Sequence, residues 1–185
     1  MEFYSERLNY RYFTEQDFEL FRSVFSDEKV MKYAWIDKID KDDDMALFFN
    51  DFLNHGNELN SNSSYAFAVF VRENERFAGF ADIVINCRNP NGGCGEIGYF
   101  LLPEHWGKGY ATELSETLVK TGFTRLGLHK MSARCNSKNL KSESVMKKVG
   151  MIKEGELRKV RFKNGSWDDE KHYGILIEDW KCDKQ

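Results

Sequence analysis

The sequence predicts an α+β fold: a mixed β-sheet of about seven strands flanked by helices, in a single domain spanning residues 1–185. Three observations predict it. Short apolar runs of strand length alternate with stretches of helical period along the whole chain. One apolar run, Glu96 to Leu102, stops at Pro103 and passes through Trp106-Gly107-Lys108-Gly109 directly into a helical pattern. A strand reached through that helix, Lys130 to Cys135, must lie parallel to Glu96–Leu102, because strand–helix–strand crossovers are right-handed. The order βααα-βββ-α-β-α-ββ therefore puts a parallel pair inside an otherwise antiparallel sheet.

Leu8 to Tyr12 reads as the first strand. Thr14 caps a helix that sets Phe18, Phe21 and Phe25 on one side. Asp27 to Tyr33 reads as a second, short helix. Asp42, Asp43 and Asp44 open a third, in the turn where negative charge is stabilised. Met45, Phe48, Phe49 and Phe52 follow as its buried face. Asn54 to Ser64 is polar and reads as a loop. Tyr65 to Val71, apolar on both faces, suits a central strand. A turn at Glu73–Glu75 returns the chain as Phe77 to Ile85. Asn86 to Gly95, rich in Asn and Gly, reads as a loop. The helix after the glycine loop runs from Gly109 to about Leu126, and Ala111 and Gly122 let it lie close to the sheet. Asn139 caps a helix ending near Val149, with Gly150 at its C-terminus. Met151 to Phe162, Asn164-Gly165 and Asp168 to Ile177 make a final hairpin with a type I′ turn.

Composition narrows the function classes. The 185 residues can bury a core without disulfide or metal staples. Aromatic residues make up 15% and prolines number two, which argues against disorder. The net charge of −3 gives no field for nucleic acid, and it is compatible with a cationic substrate. The four cysteines form no C-x-x-C pair and no zinc spacing, so they read as reduced intracellular thiols. MEFYSERLNY has no apolar signal core, and the apolar run 65–71 is too short to span a membrane. The expectation is a cytoplasmic protein, monomer or homodimer, with no metal, nucleic acid or membrane partner.

The glycine loop and helix start make an anion cradle, since glycines admit close backbone N–H approach and the helix adds its positive end. The P-loop pattern fails because Gly109 follows Lys108. The dinucleotide fingerprint fails because Thr112 stands where Gly or Ala is required. Gly109 and Ala111 are in register with the Q/R-x-x-G-x-G/A motif, and the run Trp106-Gly107-Lys108-Gly109-Tyr110-Ala111-Thr112-Glu113 continues the likeness. A second stretch, Asn139 to Met151, matches N-x-x-S-x-x-V-[ML]-x-K-x-G-[FM] at Asn139, Ser142, Val145, Met146, Lys148, Gly150 and Met151. The close Ile175 to Trp180 adds to it. On these motifs the chain resembles the GNAT acyltransferase superfamily, from about residue 5 to 180. Trp106 departs from the broad motif's Gln/Arg and resembles the ribosomal-protein N-acetyltransferase branch.

The resemblance implies an acetyl-coenzyme A-dependent N-acetyltransferase that transfers the acetyl group directly to a primary amine. It assigns the pyrophosphate to Gly107, Lys108, Gly109, Tyr110, Ala111 and Thr112. It assigns the pantetheine arm to the backbone of Phe100, Leu101 and Leu102, with one N–H there serving the oxyanion. Glu96 becomes the candidate base, through a water. Ser142, on the inward side of its helix beside the cap Asn139, becomes the donor to the leaving thiolate. A thiol of pKa near ~8.5 needs only a weak donor. From the residues alone, Ser142 reads equally as a local cap and Glu96 as an exposed strand end. An acceptor amine must be neutral to attack. At pH 7 that costs about 1.4 kcal/mol for an α-amine of pKa ~8 and about 4.6 kcal/mol for a lysine of pKa ~10.4. A protein N-terminus is thus the lighter demand on a carboxylate base, with a polyamine, an aminoglycoside or another small amine as the alternative. A non-catalytic acyl-CoA-binding domain is the rival from another class. The acidic runs Asp42–Asp44 and Asp168–Glu170 read either as an amine-binding lining or as a helix cap and a hairpin edge.

Overall fold

The computed structural model describes residues 2–56, 64–163 and 165–182. The elements follow in order: β1 (Phe3–Tyr4), β2 (Leu8–Tyr12), α1 (Phe18–Phe25), α2 (Glu28–Met31), α3 (Asp42–Gly56), β3 (Ser64–Val71), β4 (Phe77–Asn89), β5 (Gly92–Leu101), α4 (Tyr110–Thr124), β6 (Lys130–Asn136), α5 (Leu140–Lys148), β7 (Ile152–Lys163), β8 (Ser166–Leu176) and α6 (Ile177–Cys182). They build one eight-stranded sheet in the order β1-β2-β3-β4-β5-β6-β8-β7. β5 and β6 pair in parallel; the other neighbours are antiparallel.

The two-residue alternation of the strands sorts side chains onto two faces. Ala66, Ala68 and Phe80 meet an aromatic layer from α1 and α3, in which Phe21 lies 4.4 Å from Phe25 and 4.9 Å from Phe52, ring to ring. The opposite face, with Phe67, Ile83, Ile97, Met131 and Tyr173, packs on α4 and α5 through Leu114, Leu118 and Met146. Gly122 explains how closely α4 docks. A Cβ there would stand 2.3 Å from the sulfur of fully buried Met131. The small residue is required, as the sequence predicts.

Two expectations change. β1 adds an eighth strand; two residues are too few to show a period. The predicted loop 86–95 is instead the end of a long hairpin, paired through Asn89↔Gly92. Its glycines are close-approach positions rather than flexible ones. A Cβ on Gly95 would lie 2.7 Å from Leu128, and one on Gly93 2.4 Å from the Cys87 carbonyl. Of the predicted loop at 54–64, residues 54–56 instead continue α3 and Ser64 begins β3; residues 57–63, and Asn164 of the type I′ turn, lie outside the described residues. The Nζ of Lys163, at the end of β7, donates to the carbonyls of Met31 (2.6 Å), Ala34 (3.1 Å) and Ile36 (2.7 Å). It ties the final hairpin to the loop between α2 and α3. Among the described residues, no helix is long and apolar enough to cross a membrane.

Candidate active site

The site begins where β5 and β6 part. Their parallel ladder has three register pairs, and the last is Glu96↔Ser132. Beyond it β5 stays with β4 to Gly79↔Leu101, while β6 stays with β8 to Asn136↔Glu170. The strands diverge, and the sheet opens between them. Main-chain groups alternate in direction along a strand. The N–H of Leu102 donates to the Ala78 carbonyl, so residue 102 and, by the same alternation, Phe100 turn toward β4. Ile97, Tyr99 and Leu101 turn toward the opening. The expected set Phe100, Leu101 and Leu102 therefore shares only Leu101 with the groups that face it, and the Trp106 indole N–H holds the Leu101 carbonyl at 2.7 Å. Pairing direction is set by register, which a single strand does not reveal.

The glycine loop lies at the end of the same strand. Gly107 and Gly109 adopt left-handed φ of 74° and 80°, and Gly109 is the N-cap of α4. Such a cap leaves the first-turn N–H groups of α4 without intrahelical acceptors. The loop is braced from the turn between β1 and β2. Glu113 accepts from Ser5 Oγ (2.6 Å), from the Arg7 N–H (2.7 Å) and from Arg7 Nε (2.6 Å). Arg7 Nη1 reaches the Lys108 carbonyl at 2.9 Å, and its guanidinium stacks 4.8 Å from the Tyr110 ring centre. Burial works to raise the Glu113 carboxyl, but the hydrogen bonds from Ser5 and Arg7 outweigh it and hold the group below the usual range. Tyr110, Ala111 and Thr112 are partly buried; Gly107, Lys108 and Gly109 are exposed.

Across the opening stands α5. Asn139 caps it, accepting from the Ser142 N–H at 3.2 Å. The cap expected from sequence is therefore present, and it leaves the Ser142 hydroxyl available. That hydroxyl meets the phenol of Tyr99, whose pKa burial pushes up to about 12. α5 is fixed to β8 by Glu143, which accepts from Lys171 Nζ and from the Tyr173 hydroxyl, both at 2.7 Å. Ser142 and Tyr99 thus approach from the α4–α5 face, while Glu96 lies on the α1–α3 face.

Glu96 is no free strand end. Its carboxylate accepts from Arg134 Nε at 2.8 Å and is three-quarters buried. Arg134 also stands 3.6 Å from Glu170, which is buried and bound to Arg161, with His172 Nε2 3.0 Å away. Arg134, Arg161, Glu170 and His172 edge a cavity of about 400 Å³ with Trp35, Leu157, Val160 and Phe162. On the same face, one strand away, Asp82 turns its carboxylate over Gly98. Burial first, then the charge of Glu96, pushes the Asp82 pKa up to about 7.

Of the acidic runs, only Glu170 joins this group. Asp42 pairs with Arg22, Asp168 with Lys138, and Asp169 accepts from the Lys159 N–H. Arg7, Tyr99, Arg134 and Asp82 are additions that sequence reasoning passed over. One of them left a signal: Asp82 is an acid inside the apolar run Phe77–Ile85. Among the described residues, no group of three or more His, Cys, Asp or Glu is placed to hold a metal ion.

Known proteins share this fold. The family model of the acetyltransferase (GNAT) domain matches residues 7–152. The uncharacterized N-acetyltransferase YnaD of Bacillus subtilis is 31% identical over 180 residues, covering 97% of this chain and 99% of its own. The crystal structure of a GNAT-family acetyltransferase from Bacillus anthracis superposes with a TM-score of 0.78 at 31% identity, covering 96% of this chain and 99% of that one. The spermidine N-acetyltransferase of Vibrio cholerae, solved in complex with CoA and spermine, has the same fold, with a TM-score of 0.80 at 22% identity over 95% of this chain and 98% of that one. The chain belongs to the GNAT family and is an N-acetyltransferase.

Proposed function

We propose that the protein transfers the acetyl group of acetyl-coenzyme A directly to a primary amine that enters from the α1–α3 face. The observation that carries this is the parting of β5 and β6 at Glu96, with the glycine loop and helix start at the end of the same strand. In this reading the pantetheine arm lies along β5 and pairs with the outward main-chain groups of Ile97, Tyr99 and Leu101. The pyrophosphate sits on Gly107 to Thr112, against the first turn of α4.

The amine nitrogen attacks the thioester carbon. A backbone N–H of β5 stabilises the oxyanion. Glu96 receives the amine's proton through a water, and Arg134 keeps that carboxylate in place. The C–S bond breaks, and Ser142, backed by the Tyr99 phenol, donates to the thiolate sulfur.

The acceptor cavity bears on substrate class. Arg134, Arg161 and Lys163 line it against one carboxylate, Glu170, with Trp35, Val160 and Phe162 as apolar walls. Arg134 and Arg161 are already paired with Glu96 and Glu170, so among the lining residues no carboxylate is left unpaired for the ammonium groups of a polyamine. This favours an amine with an apolar or peptide body, such as a protein N-terminal α-amine. The test is an acceptor screen of N-terminal peptides, polyamines and aminoglycosides, reading free thiol. Peptide turnover that drops at least tenfold in Glu96→Gln and in Ser142→Ala is expected. Full turnover in both variants overturns the assigned roles, and a preference for spermidine overturns the acceptor class.

A further inference from the structure

Asp82 is a titratable group in the site that the mechanism above leaves unused. It sits on β4, with Ala66 opposite on β3 and Gly98 opposite on β5. These small neighbours leave space on either side of its carboxylate, and the group leans toward β5. Its Oδ1 lies 2.3 Å from where a Cβ on Gly98 would stand. The carboxylate therefore occupies the place of a side chain at residue 98. That is one same-face step along β5 from Glu96, about 7 Å, and it falls beyond the last β5–β6 pair, at the edge of the opening.

The charges around it are few. Glu96 faces it from β5, and Arg134 from β6. Arg134 is committed to Glu96 by the 2.8 Å ion pair. Its neighbours on the same face of β4, Phe80 and Val84, carry no charge, nor does Ala66 on β3. The α1–α3 layer around Phe80 is built from Phe25 and Phe52. Among the described residues, no ion pair ties a cation to Asp82. It accepts a hydrogen bond from the Gly98 backbone. The cation near Asp82, Arg134, is thus held by Glu96 at 2.8 Å and stands 3.6 Å from Glu170 as well.

Resting on the acetyl-transfer reading, we infer that Asp82 and Glu96 act as one proton-accepting pair, in which Glu96 meets the acceptor amine and Asp82 holds the proton. The N–H bond of the acceptor ammonium breaks, and its proton passes to the pair while the electron pair stays on nitrogen. Nitrogen then bonds to the thioester carbon, and the C–S pair leaves on sulfur. The second nitrogen proton ends on that sulfur, giving the free thiol. Asp82 returns its proton to water after product release. An isolated glutamate, at a pKa of ~4.3, is a poor match for an α-ammonium at ~8. Burial and the charge of Glu96 bring Asp82 to about 7, so proton transfer becomes about 500-fold less unfavourable.

The experiment compares pH profiles of kcat/KM for the wild type, Asp82→Asn and Gly98→Ala. Asp82→Asn keeps size and shape, and acetyl-CoA binding by thermal shift checks that it folds. Gly98→Ala keeps the carboxylate but fills the space it occupies. The wild type should lose activity in acid with a limb near pH 7. Both variants should fall at least tenfold in kcat at pH 7.5, and the limb should vanish in Asp82→Asn. Carboxyl 13C NMR of the folded protein, which needs no turnover, should show a resonance titrating near pH 7 that Asp82→Asn removes. A wild-type limb retained in Asp82→Asn overturns the inference, as does the absence of any carboxyl titrating above pH 6. Failure of the wild type to acetylate any amine overturns the acetyl-transfer reading itself, so the two failures are told apart.

Discussion

Gly122→Ala sets two effects of opposite sign against each other. In a helix interior, Ala is favoured over Gly by about 1 kcal/mol, so on propensity alone the variant is more stable. The packing says otherwise. The new methyl would stand 2.3 Å from Met131 Sδ, 2.7 Å from Cε and 3.2 Å from Cγ. Ordinary carbon contacts lie near ~3.8 Å, so sulfur or helix must give by about 1.5 Å. Met131 is fully buried, and its sulfur already lies 3.3 Å from the Cβ position of Gly95. The side chain is flexible, but it is buried and can turn only by displacing the residues packed around it. Overpacking of this kind costs about 1–3 kcal/mol, which leaves a net loss of about 1 kcal/mol after the propensity gain. For a chain of this length that lowers Tm by about 2–4 °C, read by calorimetry. Because α4 carries the glycine loop, acetyl-CoA affinity should fall as well. Met131→Val in the same chain should restore part of the loss by making room. A Gly122→Ala variant that melts higher than the wild type would refute the close-docking argument.

Two further outcomes follow from the braces around the site. Glu143→Gln removes a carboxylate that Lys171, then Tyr173 and Lys147, hold at a pKa of about 2. A depressed carboxyl contributes stability above its unfolded value near ~4.3 and loses it as pH falls toward the folded value. The variant should therefore lose about 2 kcal/mol at pH 7 and distinctly less at pH 2.5; equal losses in urea unfolding at both values would contradict the ion-pair account. Arg7→Ala should raise the KM for acetyl-CoA about tenfold with kcat little changed, because it frees Glu113 and the Lys108 carbonyl without touching the reacting atoms. A fall in kcat with KM unchanged would show that Arg7 acts elsewhere.

The parts of this molecule legible in its sequence are those with local causes. Gly107 and Gly109 mark the loop because only a left-handed turn enters α4 there. Asn139 caps α5 because its side chain reaches three residues on. Gly122 declares a close helix–sheet contact. What stayed hidden depends on partners remote in the chain. Arg7 and Glu113 are 106 residues apart. Glu96 looks like an exposed strand end until Arg134 arrives from β6. Asn and Gly between 86 and 95 suggest a loop by propensity, but the ladder with β4 and the closeness of Leu128 override it.

The parting of β5 and β6 also has a mechanical meaning. It divides the sheet into two leaves, β1 to β5 and β6 to β8, that share a spine of three residue pairs. Away from the spine they are bridged by the packing of α4 on α5 on one face and by Lys163 clasping the α2–α3 loop on the other. The outward amides of Tyr99 and Leu101 stand at the centre of the sheet, yet among the described residues no strand closes over them. An extended molecule lying in that gap would serve as the missing rung between the leaves. Binding there would stiffen the whole sheet, and slowed hydrogen exchange would spread from β5 into β6 and β8.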